Sequence, residues 1–205
     1  MIINLDNVSK RYTKTWVLKN VNYTFQGGVA YGVSGSNGSG KSTLLKMLSG
    51  FLSPTIGKIS FDYQGNQIDR SEIYKMVSYA APYVAMPPML TLSELVQFHF
   101  KFKSLSLSGG VDEFYNVLQL PVPDNSKIAE LSSGQVQRIH LALSILSSSE
   151  ILLLDEPSSY LDEQSVQWFQ DLLEAYGEDR LVVISSNHAP DLSYCSEHLD
   201  VADYH

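Results

Sequence analysis

The stretch GVSGSNGSGKSTLLKML, Gly32 to Leu48, decides the fold. Within it, Gly35-Ser36-Asn37-Gly38-Ser39-Gly40-Lys41-Ser42 fits the spacing G-x-x-x-x-G-K-[ST]. Glycines at 35, 38 and 40 let the backbone turn tightly and aim successive N–H groups at phosphate oxygens. Leu44, Leu45, Met47, Leu48 and Phe51 recur at helical spacing behind the loop. A helix starting at Lys41 adds the positive end of its dipole to the same anion site. VAYGVSG enters the loop as a strand, so the flanks of a nucleotide-binding loop are both present. Lys41 is expected to reach the β- and γ-phosphates and Ser42 to offer its hydroxyl to Mg²⁺, with Thr43 beside them.

The rest of the chain bounds what such a loop can serve. Its 205 residues suffice for one domain, and 44% hydrophobic against 18% charged residues is an ordinary globular balance. A net charge of −8 argues against a broad nucleic-acid footprint, which needs clustered Lys and Arg. Cys195 is the single cysteine, so no disulfide framework or cysteine metal site is expected. MIINLDNVSKRY lacks the build of a signal peptide. Apolar runs such as Ile151 to Leu154 are far too short to span a bilayer.

Residues 2 to 33 read as short strands, with Gln26 to Gly28 as a turn, and KISFDYQG reads as a hairpin arm. After Tyr79 the composition shifts to the Pro-rich AAPYVAMPPM. The pattern is then helical from Thr91 to about Leu120, broken at Ser104 to Gly110, and helical again from near Ser132. EILLLDEP and RLVVISSNH read as buried strands. Alternating strands and helices around a phosphate loop predict an α/β fold: a P-loop, RecA-like, mostly parallel sheet with N-terminal antiparallel strands. Residues 1–82 and 150–205 would form the nucleotide-binding core, and 83–149 an inserted helical subdomain.

EILLLDEP places Asp155 and Glu156 at the carboxyl end of a strand, where α/β folds put their ligands. Asp155 suits the Mg²⁺ shell and Glu156 the base that polarises an attacking water. Leu131 opens LSSGQVQRIHLALSIL, in which Ser132 is a candidate N-cap and Val136, Ile139, Leu143, Ile145 and Leu146 the buried side. A capped amphipathic helix is common by itself. The order of motifs is not.

Ser132-Ser133-Gly134-Gln135, in LSSGQ, resembles the LSGGQ signature of ABC-type ATPases. Phosphate loop, signature, ILLLDEP, SSYLD and a lone histidine follow one another as in that family over nearly the whole chain. The resemblance implies an ATPase binding ATP and Mg²⁺. It also implies that two nucleotide-binding domains pack head to tail, with the signature of one contacting the γ-phosphate held by the other. The partner would be a second ATP-binding subunit, either another copy of this chain or a paralogue. ATP would join the pair and hydrolysis release it.

Further positions carry over one by one. Tyr12 falls where the family stacks an aromatic on adenine; a half-buried strand tyrosine is the alternative. Ser159 and Asp162 fall on the loop crossing the dimer interface, where Tyr160 replaces a small residue. His188 matches the histidine that contacts the γ-phosphate. One position departs: aligned without gaps, Pro82 occupies the slot of a glutamine that touches Mg²⁺ and water. Proline has neither side-chain amide nor backbone N–H. Hydrolysis is nevertheless expected, because Lys41, Asp155, Glu156 and His188 are all present.

The resemblance implies a transporter's ATPase subunit, cytoplasmic and peripheral on the inner face of the membrane, docked on separate transmembrane permease subunits near Pro82 to Met89. A soluble non-transport ABC ATPase and a catalytically weakened regulator are the alternatives. Repair and chromosome types carry a long coiled coil within the domain, and no sustained heptads occur here. No nucleic-acid partner is expected, and no C-terminal regulatory domain has room after the histidine.

Overall fold

The computed structural model describes residues 1–204. The chain opens with β1 (Ile2–Tyr12) and β2 (Thr15–Gln26), a long antiparallel ribbon rather than the short strands expected. Breaks in pairing register near Leu5, Val8 and Lys10 let one continuous pair bend where separate strands were anticipated. β4 (Ile56–Tyr63) adds to the free edge of β1, and β5 (Asn66–Ile68) closes the expected hairpin. The antiparallel sheet runs β2-β1-β4-β5.

The second sheet is wholly parallel. It comprises β3 (Ala30–Ser34), β6 (Val77–Ala80), β7 (Ile151–Asp155), β8 (Leu181–Ser185) and β9 (Glu197–Asp200), in the order β6-β7-β8-β3-β9. Its central strands are unbroken apolar runs because both faces are covered. Ile151, Leu153, Leu181 and Val183 join one core cluster with α1 (Lys41–Leu48) and the antiparallel sheet. Leu152, Leu154, Val182 and Ile184 face the other way, into a cluster with α4 (Ser133–Ile145) and α5 (Glu163–Tyr176). Removing one such leucine side chain costs about 2–5 kcal/mol.

Residues 83–149 hold α2 (Leu92–His99), α3 (Gly110–Leu118) and α4. Thr91 and Glu94 cap α2 reciprocally, and Ser132 and Gln135 do the same for α4, as the serine's position led us to expect. The last carbonyls of α3 are taken by other helices: Arg138 Nε donates to Leu118 at 2.8 Å and Trp168 Nε1 to Val117 at 2.9 Å. The Arg138 guanidinium lies 4.2 Å from the Trp168 ring, locking α3, α4 and α5 together.

Phe51 lies beyond the helix on which its spacing placed it. Phe51 is 80% exposed, because α1 closes at Leu48 and the chain bends before the phenylalanine can face the core. In YVAMPPML, Met86 is buried in the helical cluster, whereas Tyr83, Val84 and Met89 are exposed.

Candidate active site

Four parallel strands, β6, β7, β8 and β3, end at one edge of the sheet, and each delivers polar groups there. The turn after β3 is the glycine loop. Gly35, Gly38 and Gly40 all adopt positive φ, from 82° to 141°, a region closed to most side chains. A Cβ at Gly40 would meet Val17 of β2 at 2.8 Å, so the hairpin bearing Tyr12 lies against the loop. Ser36 and Asn37 are exposed; Ser39 is buried with its hydroxyl unpartnered. Helix α1 has no side-chain cap, so the first N–H groups of Lys41, Ser42 and Thr43 remain for an anion.

Lys41 is 94% buried, with its ammonium held by the Gly35 carbonyl at 2.8 Å and the Asn187 side-chain oxygen at 3.0 Å. Glu156 Oε1 stands 3.5 Å away. The structure therefore brings Lys41 and Glu156, which lie far apart in sequence, into one ion pair. Asn187 also donates from Nδ2 to Asn37 at 2.6 Å, linking the turn after β8 to the glycine loop.

Asp155 is fully buried at the end of β7. Ser185 donates to its Oδ1, and the Tyr83 hydroxyl donates to its Oδ2 at 2.7 Å. Tyr79 stands 3.5 Å from the same oxygen and touches the Tyr83 hydroxyl. Ser42 is a further polar neighbour of Tyr83. Burial pushes the Tyr83 phenol up to about 12 and raises Tyr79 as well, so both stay protonated. Glu156, next in sequence, has φ 46°, unusual for a residue with a side chain, and its amide is fixed on the Ser185 carbonyl at 2.7 Å.

His188, 55% exposed, has Nδ1 3.3 Å from the Ser158 hydroxyl and 3.6 Å from Asp191 Oδ1. Asp191 is buried and accepts from Ser186 at 2.6 Å and Ser158 at 3.0 Å. The His188 amide donates to Ser186 at 3.0 Å. Tyr12 is half exposed at the end of β1, with the Lys10 ammonium 5.4 Å from its ring.

The signature residues lie elsewhere. Ser132 to Gln135 line a cleft of about 530 Å³ with Arg138, Tyr160 and Asp162, and no residue of the glycine loop borders it. A Cβ at Gly134 would come within 2.8 Å of the Tyr160 carbonyl, so the signature packs on the loop after β7. Asp162 caps α5 by accepting from the Ser165 amide at 2.8 Å, and the Ser159 amide donates to the Glu156 carbonyl at 3.1 Å. Sequence reasoning missed Tyr79, Tyr83, Asn187 and Asp191. The last two flank His188 closely, and Tyr83 adjoins the anomalous Pro82; adjacency was the one signal available.

Among the described residues no helix is long and apolar enough to cross a membrane, and no three His, Cys, Asp or Glu side chains form a metal cage. One carboxylate and one hydroxyl, Asp155 and Ser42, are nonetheless a donor set that fits Mg²⁺, which takes few protein ligands and completes its shell with phosphates and water.

The comparisons agree with this geometry. A family model described as "ABC transporter" matches residues 18–159. The uncharacterised ABC transporter ATP-binding protein YybJ of Bacillus subtilis is 32% identical over 203 residues, covering 98% of this chain and 92% of that one. The lantibiotic transport ATP-binding protein SrtF of Streptococcus pyogenes is 30% identical over 192 residues, covering 91% and 80%. Among solved structures, an ABC transporter ATP-binding protein from Pyrococcus furiosus superposes with a TM-score of 0.82 at 26% identity, covering 100% and 99%. A dimer of the bacterial cassette MJ0796 superposes at 0.80 with 26% identity, covering 97% and 94%. A parallel sheet with a phosphate loop at its carboxyl edge, a capped signature helix and these likenesses converge: the chain belongs to the ABC transporter family, as an ATP-binding and ATP-hydrolysing subunit.

Proposed function

We propose that this subunit works as one of a pair, each closing the other's nucleotide site. The observation that carries the reading is the separation of the two halves within one chain: the glycine loop with Lys41, Asp155 and Glu156 on one side, the cleft of Ser132 to Gln135 on the other. In the pair, Gly35 to Thr43 hold the phosphates and Tyr12 lies against the base. Lys41 leaves Gly35 and Asn187 for the γ-phosphate. Ser133 and Gly134 of the opposite copy, with Ser159 and Asp162, complete the pocket. Glu156, freed from Lys41, takes a proton from the attacking water, and His188, steadied by Asp191 and Ser158, contacts the γ-phosphate. Ser42 and Asp155 hold Mg²⁺, which supplies charge neutralisation at the transferring phosphoryl group.

The pair docks from the inner face of the membrane on separate transmembrane subunits. An apolar groove of about 470 Å³, walled by Phe51, Tyr74, Val77, Tyr79, Tyr83 and Val84, supports that docking. Non-transport ABC ATPases are not favoured by the relatives found.

The shared site has a direct test. Glu156→Gln should bind ATP and accumulate an ATP-dependent dimer by light scattering. Ser133→Arg added to it should bind ATP equally and stay monomeric. A dimer of undiminished stability in the double variant would refute the shared site. A steady-state ATPase rate no higher in the unaltered protein than in Glu156→Gln would refute Glu156 as the base.

A further inference from the structure

Tyr83 reaches two places at once. Its half-exposed ring walls the apolar groove, with the Lys46 ammonium 4.4 Å from its centre. Its hydroxyl lies on the Asp155 carboxylate, 2.7 Å from Oδ2, with Tyr79 and Ser42 beside it. Asp155 and Ser42 are the two residues suited to Mg²⁺, so a phenol stands in the middle of the metal's donor set.

The backbone shows how it gets there. The Val84 amide donates to the Ala81 carbonyl at 3.0 Å, closing a turn over Ala81–Val84. Pro82 is the second residue of that turn, where a fixed φ near −65° is favoured and a missing N–H costs nothing. Tyr83 follows it and is thrown back onto the end of β7. Pro82 is thus no gap in the site. It builds the turn that delivers the next side chain.

The hydroxyl has one hydrogen and two lone pairs. Its hydrogen goes to Asp155 Oδ2, Ser185 holds the other oxygen, and its two lone pairs accept from the Tyr79 and Ser42 hydroxyls. We propose that Tyr83 is a positioning residue for the metal: its hydroxyl fixes the rotation of the Asp155 carboxylate and, by accepting from Ser42, the orientation of the second metal-holding side chain. This inference rests on the reading of Ser42 and Asp155 as the Mg²⁺ residues. Tyr79, half-buried beside it, keeps the Tyr83 hydroxyl in place.

The test uses the full-length purified chain with Mn²⁺ as a paramagnetic stand-in and a non-hydrolysable ATP analogue. Mn²⁺ affinity in the nucleotide complex is read by electron paramagnetic resonance for the unaltered protein and for Tyr83→Phe, which keeps the ring and its packing. Loss of a group that orients a metal ligand costs about 10- to 100-fold in metal affinity. We expect a weakening of at least about ten-fold, with nucleotide affinity in chelator unchanged and the ligand-free melting temperature preserved. Equal Mn²⁺ affinity in the two proteins, or tighter binding by Tyr83→Phe, overturns the inference alone. Failure of the unaltered chain to bind Mn²⁺ with nucleotide overturns the metal reading of Ser42 and Asp155, and this inference with it.

Discussion

Gly57 shows how tightly single residues are specified. It has φ 84°, and a Cβ there would sit 2.2 Å from the Asn7 carbonyl oxygen, where β1 and β4 slip register between Asp6 and Ser9. No rotamer relieves a clash with backbone. Gly57→Ala should cost more than about 2 kcal/mol in denaturant unfolding, combining the left-handed penalty with displacement of the ribbon; a cost below about 0.5 kcal/mol would show that the ribbon yields freely. At the same scale lies the main failure of sequence reading at the site. The gapless alignment asks what side chain Pro82 offers, and the answer is none. The physical content is in the turn that Pro82 starts, and a turn's destination depends on where β7 ends in space. Asp155, Glu156 and Lys41 were legible because spacing along the chain states their neighbours. Tyr83 on Asp155 and Asn187 on Lys41 are contacts between distant segments, which spacing does not state.

The elements were mostly legible for the reason that they are covered on both faces. ILLL and LVVI are apolar throughout, and the strands they form, ended by Asp155 and Ser185, are fully buried. β9 was missed because EHLD is short, polar and exposed at three of its four positions. Phe51 was misplaced because periodicity continues past a helix end without marking it. Helix α4 carries a pH-dependent term. His140 lies within it, and burial lowers its imidazole to about 4 from an ordinary 6.5. The unfolded chain therefore binds the extra proton between those values. The stabilisation is complete above pH 6.5 and is lost progressively as pH falls toward 4, up to about 3 kcal/mol over 2.5 pH units. His99, shifted the same way chiefly by burial, adds to the slope. His140→Gln should flatten the acid limb of stability measured by urea unfolding between pH 4 and 7; an unchanged slope would mean that His140 titrates normally in the folded protein.

For the whole molecule, the groove and the nucleotide edge are not independent, because the Tyr83 ring belongs to one and its hydroxyl to the other. Anything seated against that ring biases the Asp155 carboxylate, and by linkage the nucleotide-bound state biases the groove. Phe51 offers a clean separation. It is exposed at the groove wall and bonds to none of the nucleotide-site residues. Phe51→Glu should leave ATP binding by the purified chain unchanged and abolish co-purification with its membrane subunit after joint expression. Retained co-purification would place the docking surface elsewhere.

The parallel sheet has one more consequence. β3, which feeds the glycine loop, is flanked on one side by β8 and on the other by β9. Both are translated long after it. A nascent chain that has not yet extruded β8 and β9 therefore leaves both edges of β3 unpaired, and the glycine loop that β3 feeds is without its neighbouring strands. The strand that carries the phosphate loop thus gains its place in the sheet only from segments that follow it by roughly 150 residues or more along the chain.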